Sequence, residues 1–547
     1  MSEILEKPGT GVAETADYVA VAELATLAAR GVMVVKHGRK QIALFHTETG
    51  VYACNNRCPH EGYPLSEGTL TGDAAGRTCL LTCNWHNWKF DLESGETLVG
   101  GDRLRRYPVR LAEGSVWIDV SDPPPQACIA AALEALHDSF RRHEYDRMAR
   151  EIARIAKAGG DPLAALRAAI HWTHDRLEFG ATHAHAAAAD WLALRETLPA
   201  GDAAARLVPL TEIVGHLAWD SRHEPRYPFP AGHADYAPAR LVAAIEDEDE
   251  AAAVAQIRGA LAAGLDYAAL EAPLAEAALA HYADFGHSAI YVYKVGQLIA
   301  RLGPEVTEPL LLALVRSLIY ATREDLIPEF RDYAPALADW PRDAAAPAQP
   351  PRAEDFIGLP LRAALGRCRD FAGDPEALHG ALLGAAGWSL LHFDRAYEAN
   401  NDGPVSDNVG WLDFTHAVTF ANAVRVLCRR HPALWPQGLL QIACFLGRNA
   451  PYTKADLDTA PWRVDDPAAF RKALTARLLD HGQSEYIVAA HLLKLATAVQ
   501  EEIAAAPEAA WQADLLAGLN RLLNTPIKRK FTLRTARQSL EFVARED

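Results

Sequence analysis

The chain has 547 residues, half of them hydrophobic, a formal charge of −17 and eight cysteines, which is ordinary globular composition and enough length for about three compact units. Residues 1–121 hold 12 basic and 15 acidic side chains, so −14 of the charge lies beyond them. Charge of that sign disfavours nucleic acid and anionic membrane, and no apolar run reaches the ~18 residues of a membrane span. The start, "MSEILEKPGT", lacks the basic and apolar regions of a signal peptide, so the expectation is a cytoplasmic protein with reduced thiols.

Residues 17–121 read as short strands. "GVMVVKHG", "QIALFHTETG", "VYACNN", "CLLTC" and "SVWIDV" are β-branched or aromatic segments punctuated by Gly, Asn and Asp. The prolines of "SDPPPQ" at 121–126 break that pattern, and 122–135 is expected to be a linker running into a first helix. From 136 to 547 apolar residues recur at three- and four-residue spacing, which predicts helices almost throughout. A Pro/Ala-rich stretch at 339–360 divides the helical part, as a surface loop or a subdomain linker. Three helical segments, "EFGATHAHAAAADWLAL", "DFGHSAIYVYKVGQLI" and "LDFTHAVTFANAVRVL", each place an aromatic and a histidine just ahead of an apolar run. Helices that carry histidine in their first turns can converge on one point.

The chemistry of the first part sits in "CPHEGYPL" and "CNWHNWKFD", each with one cysteine and one histidine. Two thiolates and two imidazoles can bind zinc tetrahedrally. The neighbouring residues are more specific, because Gly62, Leu65, Trp85, Phe90 and Asp91 fall where the two loops of a Rieske domain carry them. The segment therefore resembles a Rieske [2Fe–2S] domain of the ferredoxin type. That resemblance implies Cys58 and Cys83 on one iron and His60 and His86 on the other. Tyr63 and Asn84 stand where high-potential members place a second disulfide, and Asn87 follows His86 where those members carry serine. Fewer hydrogen bonds to sulfur imply a potential toward the low end of about −150 to +300 mV. Cys54 and Cys79 are either core thiols or a staple. Asn87 also departs from the glycine usual in these loops.

A Rieske centre passes single electrons and leaves the acceptor to be found. The mononuclear-iron signature of Rieske oxygenases, Asp-x-x-His with a second His five residues on, is approached by Asp413 and His416, but Ala421 stands in the last place. Instead, "GATHAHAAAADWLAL", "FGHSAIYVYKVGQLI", "LLHFDRAYEAN", "FTHAVTFANAVRVL" and "EYIVAAHLLKLATAV" resemble, in this order, segments of the questin oxidase-like family. The resemblance implies a helical non-haem iron oxygenase whose Fe(2+) is held by His183, His287, His392, His416 and a carboxylated Lys494. His491, three residues before Lys494 on the same helix face, is expected as a catalytic base or a replacement ligand. Lys294 stands where that family carries a second histidine. His174, His185, His281 and His481 are expected to be structural or outer-sphere.

The fold expected is a multidomain chain, a small all-β Rieske domain followed by a large all-α domain. The activity expected is oxygenation of an organic, candidate aromatic, substrate by O2, through ring cleavage or Baeyer–Villiger-type insertion. An external reductase or ferredoxin would supply electrons, with NAD(P)H as the candidate source and a homo-oligomer as a candidate assembly. The rival is an electron-transfer or redox-sensing protein with a non-catalytic docking domain.

Overall fold

The computed structural model describes residues 17–72, 79–527 and 531–546, and its strands lie between Tyr18 and Asp119, with one short helix, Leu24–Arg30, among them. The expectation of no signal peptide falls on residues outside that range. Eleven strands form here: β1 Tyr18–Glu23, β2 Val32–His37, β3 Lys40–Thr47, β4 Gly50–Asn55, β5 Thr69–Thr71, β6 Leu80–Thr82, β7 Lys89–Asp91, β8 Thr97–Val99, β9 Arg106–Tyr107, β10 Val109–Ala112 and β11 Ser115–Asp119. They pair as three antiparallel sheets, β1-β11-β10, β2-β3-β4-β9 and β5-β6-β7-β8. The period-2 alternation of β3 divides the core, with Ala43 and Phe45 on one face and Ile42 and Leu44 on the other. Cys54 and Cys79 pack beside Phe45 as free thiols, and Cys79 lies against the Thr49 and Thr47 hydroxyls, so no staple forms.

The proline run ends where Pro125 opens a helix, Pro125–Arg142, at a first-turn position whose N–H would have no intrahelical partner. The chain then divides into two compact units, residues up to 139 with 153–160, and 140–152 with 161 onward. The second unit is helical. Aspartates 202, 249, 266, 374 and 466 each cap a helix by accepting from a backbone N–H of its first turn. Residues 341–352 run without helix before a single turn at Ala353–Asp355, yet both flanks belong to the same unit.

Four helices of this unit position the candidate residues: His183–Thr197, His287–Leu302, Trp411–Arg430 and Tyr486–Ala505. They contact one another in a closed circuit, each touching the next and the last touching the first. Buried alanines at 184 and 186–189 leave little side chain between the first helix and its neighbours, so the backbones approach and longer side chains meet in the middle. No described helix is long and apolar enough to cross a membrane.

Candidate metal centres

In the β-unit the two Cys/His loops share one backbone design. Cys58 donates its N–H to the Tyr63 carbonyl and Cys83 donates to that of Trp88, each spanning five residues. Gly62 N–H returns to the Cys58 carbonyl as Asn87 N–H returns to that of Cys83, and both residues lie in the left-handed region, at φ 77° and 61°. Asn87 thus does what glycine does in the other loop, since asparagine tolerates that conformation better than most side chains. Asn84 donates to the Glu67 carbonyl at 2.8 Å and accepts from Thr69 Oγ1 at 3.0 Å, a polar clamp where a disulfide would otherwise sit. Trp88 stacks on His60 at 4.5 Å, and a side chain on Gly100 would strike that indole. The His60 and His86 rings meet edge-on at 4.6 Å.

These residues fit a [2Fe–2S] cluster. His60 Nδ1 is buried without a hydrogen-bond partner. Cys58 and Cys83 are buried free thiols, and burial, with Cys83 adding to it, pushes the Cys58 thiol up to about 11. A buried thiolate pair is costly alone, and iron supplies the compensating charge.

The helical unit gathers a second group. His287 Nε2 lies 2.9 Å from His183 Nε2 and 2.9 Å from His416 Nε2, and His491 Nε2 lies 3.4 Å from His416 Nε2. The opposite nitrogens of three of these rings face backbone carbonyls: His287 on Asp284, His416 on Leu412 and His491 on Ile487. A carbonyl only accepts, so each Nδ1 carries the proton and each Nε2 a lone pair. Lone pairs pointed at one another repel unless a cation lies among them. Two imidazoles at right angles on a metal at ~2.1 Å would have nitrogens about 3 Å apart, which matches the spacing seen. Burial first, and the neighbouring imidazoles and Lys494 after it, hold His183, His287 and His491 well below the ordinary imidazole value, and His416 falls to about 3. The group is neutral and ready to ligate. The donor set fits iron, which imidazole suits.

Lys494 stands one turn from His491, 2% exposed, with no hydrogen-bond partner for Nζ. Burial lowers it to about 8 against the opposing pull of Asp190. Asp190, on the His183 helix, receives Lys294 Nζ at 2.8 Å and keeps its other oxygen buried without a partner. Neither Asp190 nor this use of Lys294 was evident in the sequence, although Asp190 falls seven residues after His183 and Lys294 seven after His287, so each shares its histidine's face.

Comparison with known proteins agrees with the first centre. Residues 17–119 match the Rieske-like [2Fe–2S] domain family. The ferredoxin subunit of 3-phenylpropionate/cinnamic acid dioxygenase from Escherichia coli is 36% identical over 86 residues, 15% of this chain and 76% of that one. The chain belongs to the Rieske-like [2Fe–2S] family. Its Rieske domain is also 35% identical over 106 residues to 4beta-methylsterol monooxygenase of Methylococcus capsulatus, covering 17% of this chain and 27% of that protein. Among solved structures, the ferredoxin of carbazole 1,9a-dioxygenase from Nocardioides aromaticivorans aligns over 19% of this chain and 98% of its own, at 21% identity and a TM-score of 0.17.

Beyond the Rieske domain, the remaining expected residues are distributed unevenly. His392 closes the helix Pro375–His392, outside the circuit of four, with its ring stacked on Trp388 at 4.0 Å and its Nδ1 on the Trp388 carbonyl. The structure does not bring it to the imidazole group, where His491 takes the fourth place. Asp413 caps its own helix and pairs with Arg448 at 3.1 Å. His185 accepts from Thr182 N–H, His281 lies between Asp325 and Glu246, His481 faces Glu212, and His174 stacks on Phe229. A cavity of about 370 Å³ is lined by His143, Tyr145, Glu212, Trp219, His481 and Tyr486. Tyr486 begins the helix that carries His491 and stacks on the buried His216, so the cavity wall and the imidazole group share an element.

Proposed function

We propose that this protein is a non-haem iron oxygenase in which the Rieske cluster receives electrons from an external reductase or ferredoxin and feeds an iron in a questin oxidase-like helical domain. The observation that carries the reading is the set of imidazoles at 183, 287, 416 and 491, with Nε2 atoms converging and three Nδ1 protons committed to carbonyls. His183, His287, His416 and His491 would hold the iron, and Lys494, as a carbamate, would bring an anion to a set otherwise made of neutral donors. Iron bound there would supply one-electron chemistry toward dioxygen.

The protein's own residues do the rest. The backbone carbonyls fix each ring's tautomer and orientation. Lys294, held by Asp190 at 2.8 Å, places an ammonium near Lys494, where it disfavours a second positive charge and would favour the anionic form. The cavity beside Tyr486 is the proposed substrate pocket, with Trp219 and Tyr486 offering aromatic faces and the Glu212 carboxylate, already accepting from Tyr145 at 2.6 Å, at its polar end. That chemistry suits an organic, aromatic substrate, and ring cleavage or Baeyer–Villiger-type insertion is proposed by family resemblance. The relatives' dioxygenase and monooxygenase names are consistent with the electron-transfer half of the scheme.

Metal analysis of the purified protein tests the reading. About three irons per chain are expected, two in the cluster and one outside it. Two irons, unchanged by His416→Ala, would leave only the electron carrier.

A further inference from the structure

Glu61 directly follows His60 in the first Cys/His loop. Glu61 places one carboxylate oxygen 4.0 Å from His60 Nε2 and the other 3.7 Å from His86 Nε2. These distances are too long for hydrogen bonds and short enough for a solvent-screened charge interaction. The other nitrogen of His60, Nδ1, is the buried one without a partner, so the Glu61 carboxylate faces the outward side of the ligand ring. The His60 and His86 rings meet edge-on, and one carboxylate spans both. The nearby Glu67 is engaged by the Tyr63 hydroxyl at 2.9 Å, and Lys89 is turned to Thr82, so neither shares this position.

We propose that Glu61 is a positioning residue that sets the reduction potential of the Rieske cluster, holding it low through its fixed negative charge beside both ligand histidines. Reduction adds one electron from an outside donor, breaks no bond and leaves the two-thiolate cluster with one more negative charge. A carboxylate at the outer edge of both imidazoles repels that added charge and stabilises the oxidised state. It acts beside the sparse hydrogen bonding to sulfur already inferred from Tyr63, Asn84 and Asn87. The inference rests on the [2Fe–2S] assignment and is independent of the oxygenase reading.

The test is a mediated redox titration of the full-length holoprotein at neutral pH, followed by electron paramagnetic resonance, for wild type, Glu61→Gln and Glu61→Lys. The potential should rise in the order Glu, Gln, Lys. The equilibrium constant for reduction should grow by up to about tenfold in the glutamine variant, ~59 mV for one electron. Because the Glu61 side chain is 58% exposed, the differences should shrink as ionic strength rises. The Rieske spectrum itself should stay unchanged, since no ligand is altered. Equal potentials in all three proteins with intact spectra would overturn the proposal, as would a lysine variant shifted below wild type. Absence of a Rieske spectrum in wild type would instead remove the cluster on which it rests.

Discussion

A buried ammonium without a partner is costly, and Lys494 is in that position, 2% exposed and with its Nζ unsatisfied. If carbon dioxide converts it to a carbamate ligand, Lys494→Ala should lose iron affinity by at least the ~10–100-fold typical of outer-sphere losses. Apo-protein stripped of carbon dioxide should take up ferrous iron slowly, and bicarbonate should restore the rate. Full loading of Lys494→Met without bicarbonate would remove the lysine from the site. Individual residues were unevenly legible in the sequence. The Rieske ligands stood out because two loops repeat one short pattern, and the same repetition explains Asn87 once its φ of 61° is seen. The family resemblance put His392 ahead of His491 as a ligand, and the structure reverses that order, because both sit in apolar helices and only packing decides which helix reaches the circuit. Asp190 was hidden for the same reason, as a single acid in an alanine-rich run reads as a surface residue until its burial is known.

The turn that opens the His287 helix shows how an element aims a candidate ligand. Asp284, Phe285 and Gly286 all have positive φ, at 49°, 49° and 78°, and this tight left-handed turn sets His287 at the first helical position. A Cβ on Gly286 would lie 2.5 Å from Phe420 Cδ2, on the helix that carries His416. Gly286→Ala should therefore cost on the order of 1–3 kcal/mol. Iron analysis should find the helical centre depleted, with the Rieske spectrum unaffected. Glu324 supports the same turn by accepting from Phe285 N–H and from Thr322 Oγ1, and burial raises its carboxyl from 4.5 to about 7. Between those values the unfolded chain has released the proton and the folded one retains it, so this group's contribution to stability falls as pH rises. It is fully present below about 4.5 and lost through about 7. Glu324→Gln removes the ionisation and keeps an acceptor oxygen. Its urea midpoint should gain on wild type between pH 5 and pH 8, and a difference constant in pH would contradict this. The motif "DFGH" pointed to this segment, but its close approach to Phe420 is a tertiary contact that sequence periodicity does not reveal.

At the scale of the whole chain, the all-β and helical parts were legible because residue texture changes across the prolines at 123–125. The β-unit has its own strand core and the helical unit its own circuit, so each centre is built from residues of one unit. Metal loading at one centre should then be independent of the other, while turnover should require both. Cys58→Ser should lower iron from about three per chain to about one and abolish the Rieske spectrum, since a single thiolate cannot hold the cluster. His183→Ala and His416→Ala should instead lower it to about two with that spectrum intact. Far-ultraviolet circular dichroism should stay helical in all three variants. If electrons pass through the first centre to reach the second, as proposed, oxygen consumption coupled to an external reductant should vanish in every one. Parallel loss of iron from both centres in any single variant would mean that the units do not hold their metals separately. Retained substrate-dependent oxygen uptake in the Cys58→Ser protein, fed by the same reductant, would mean that the cluster is not on the path.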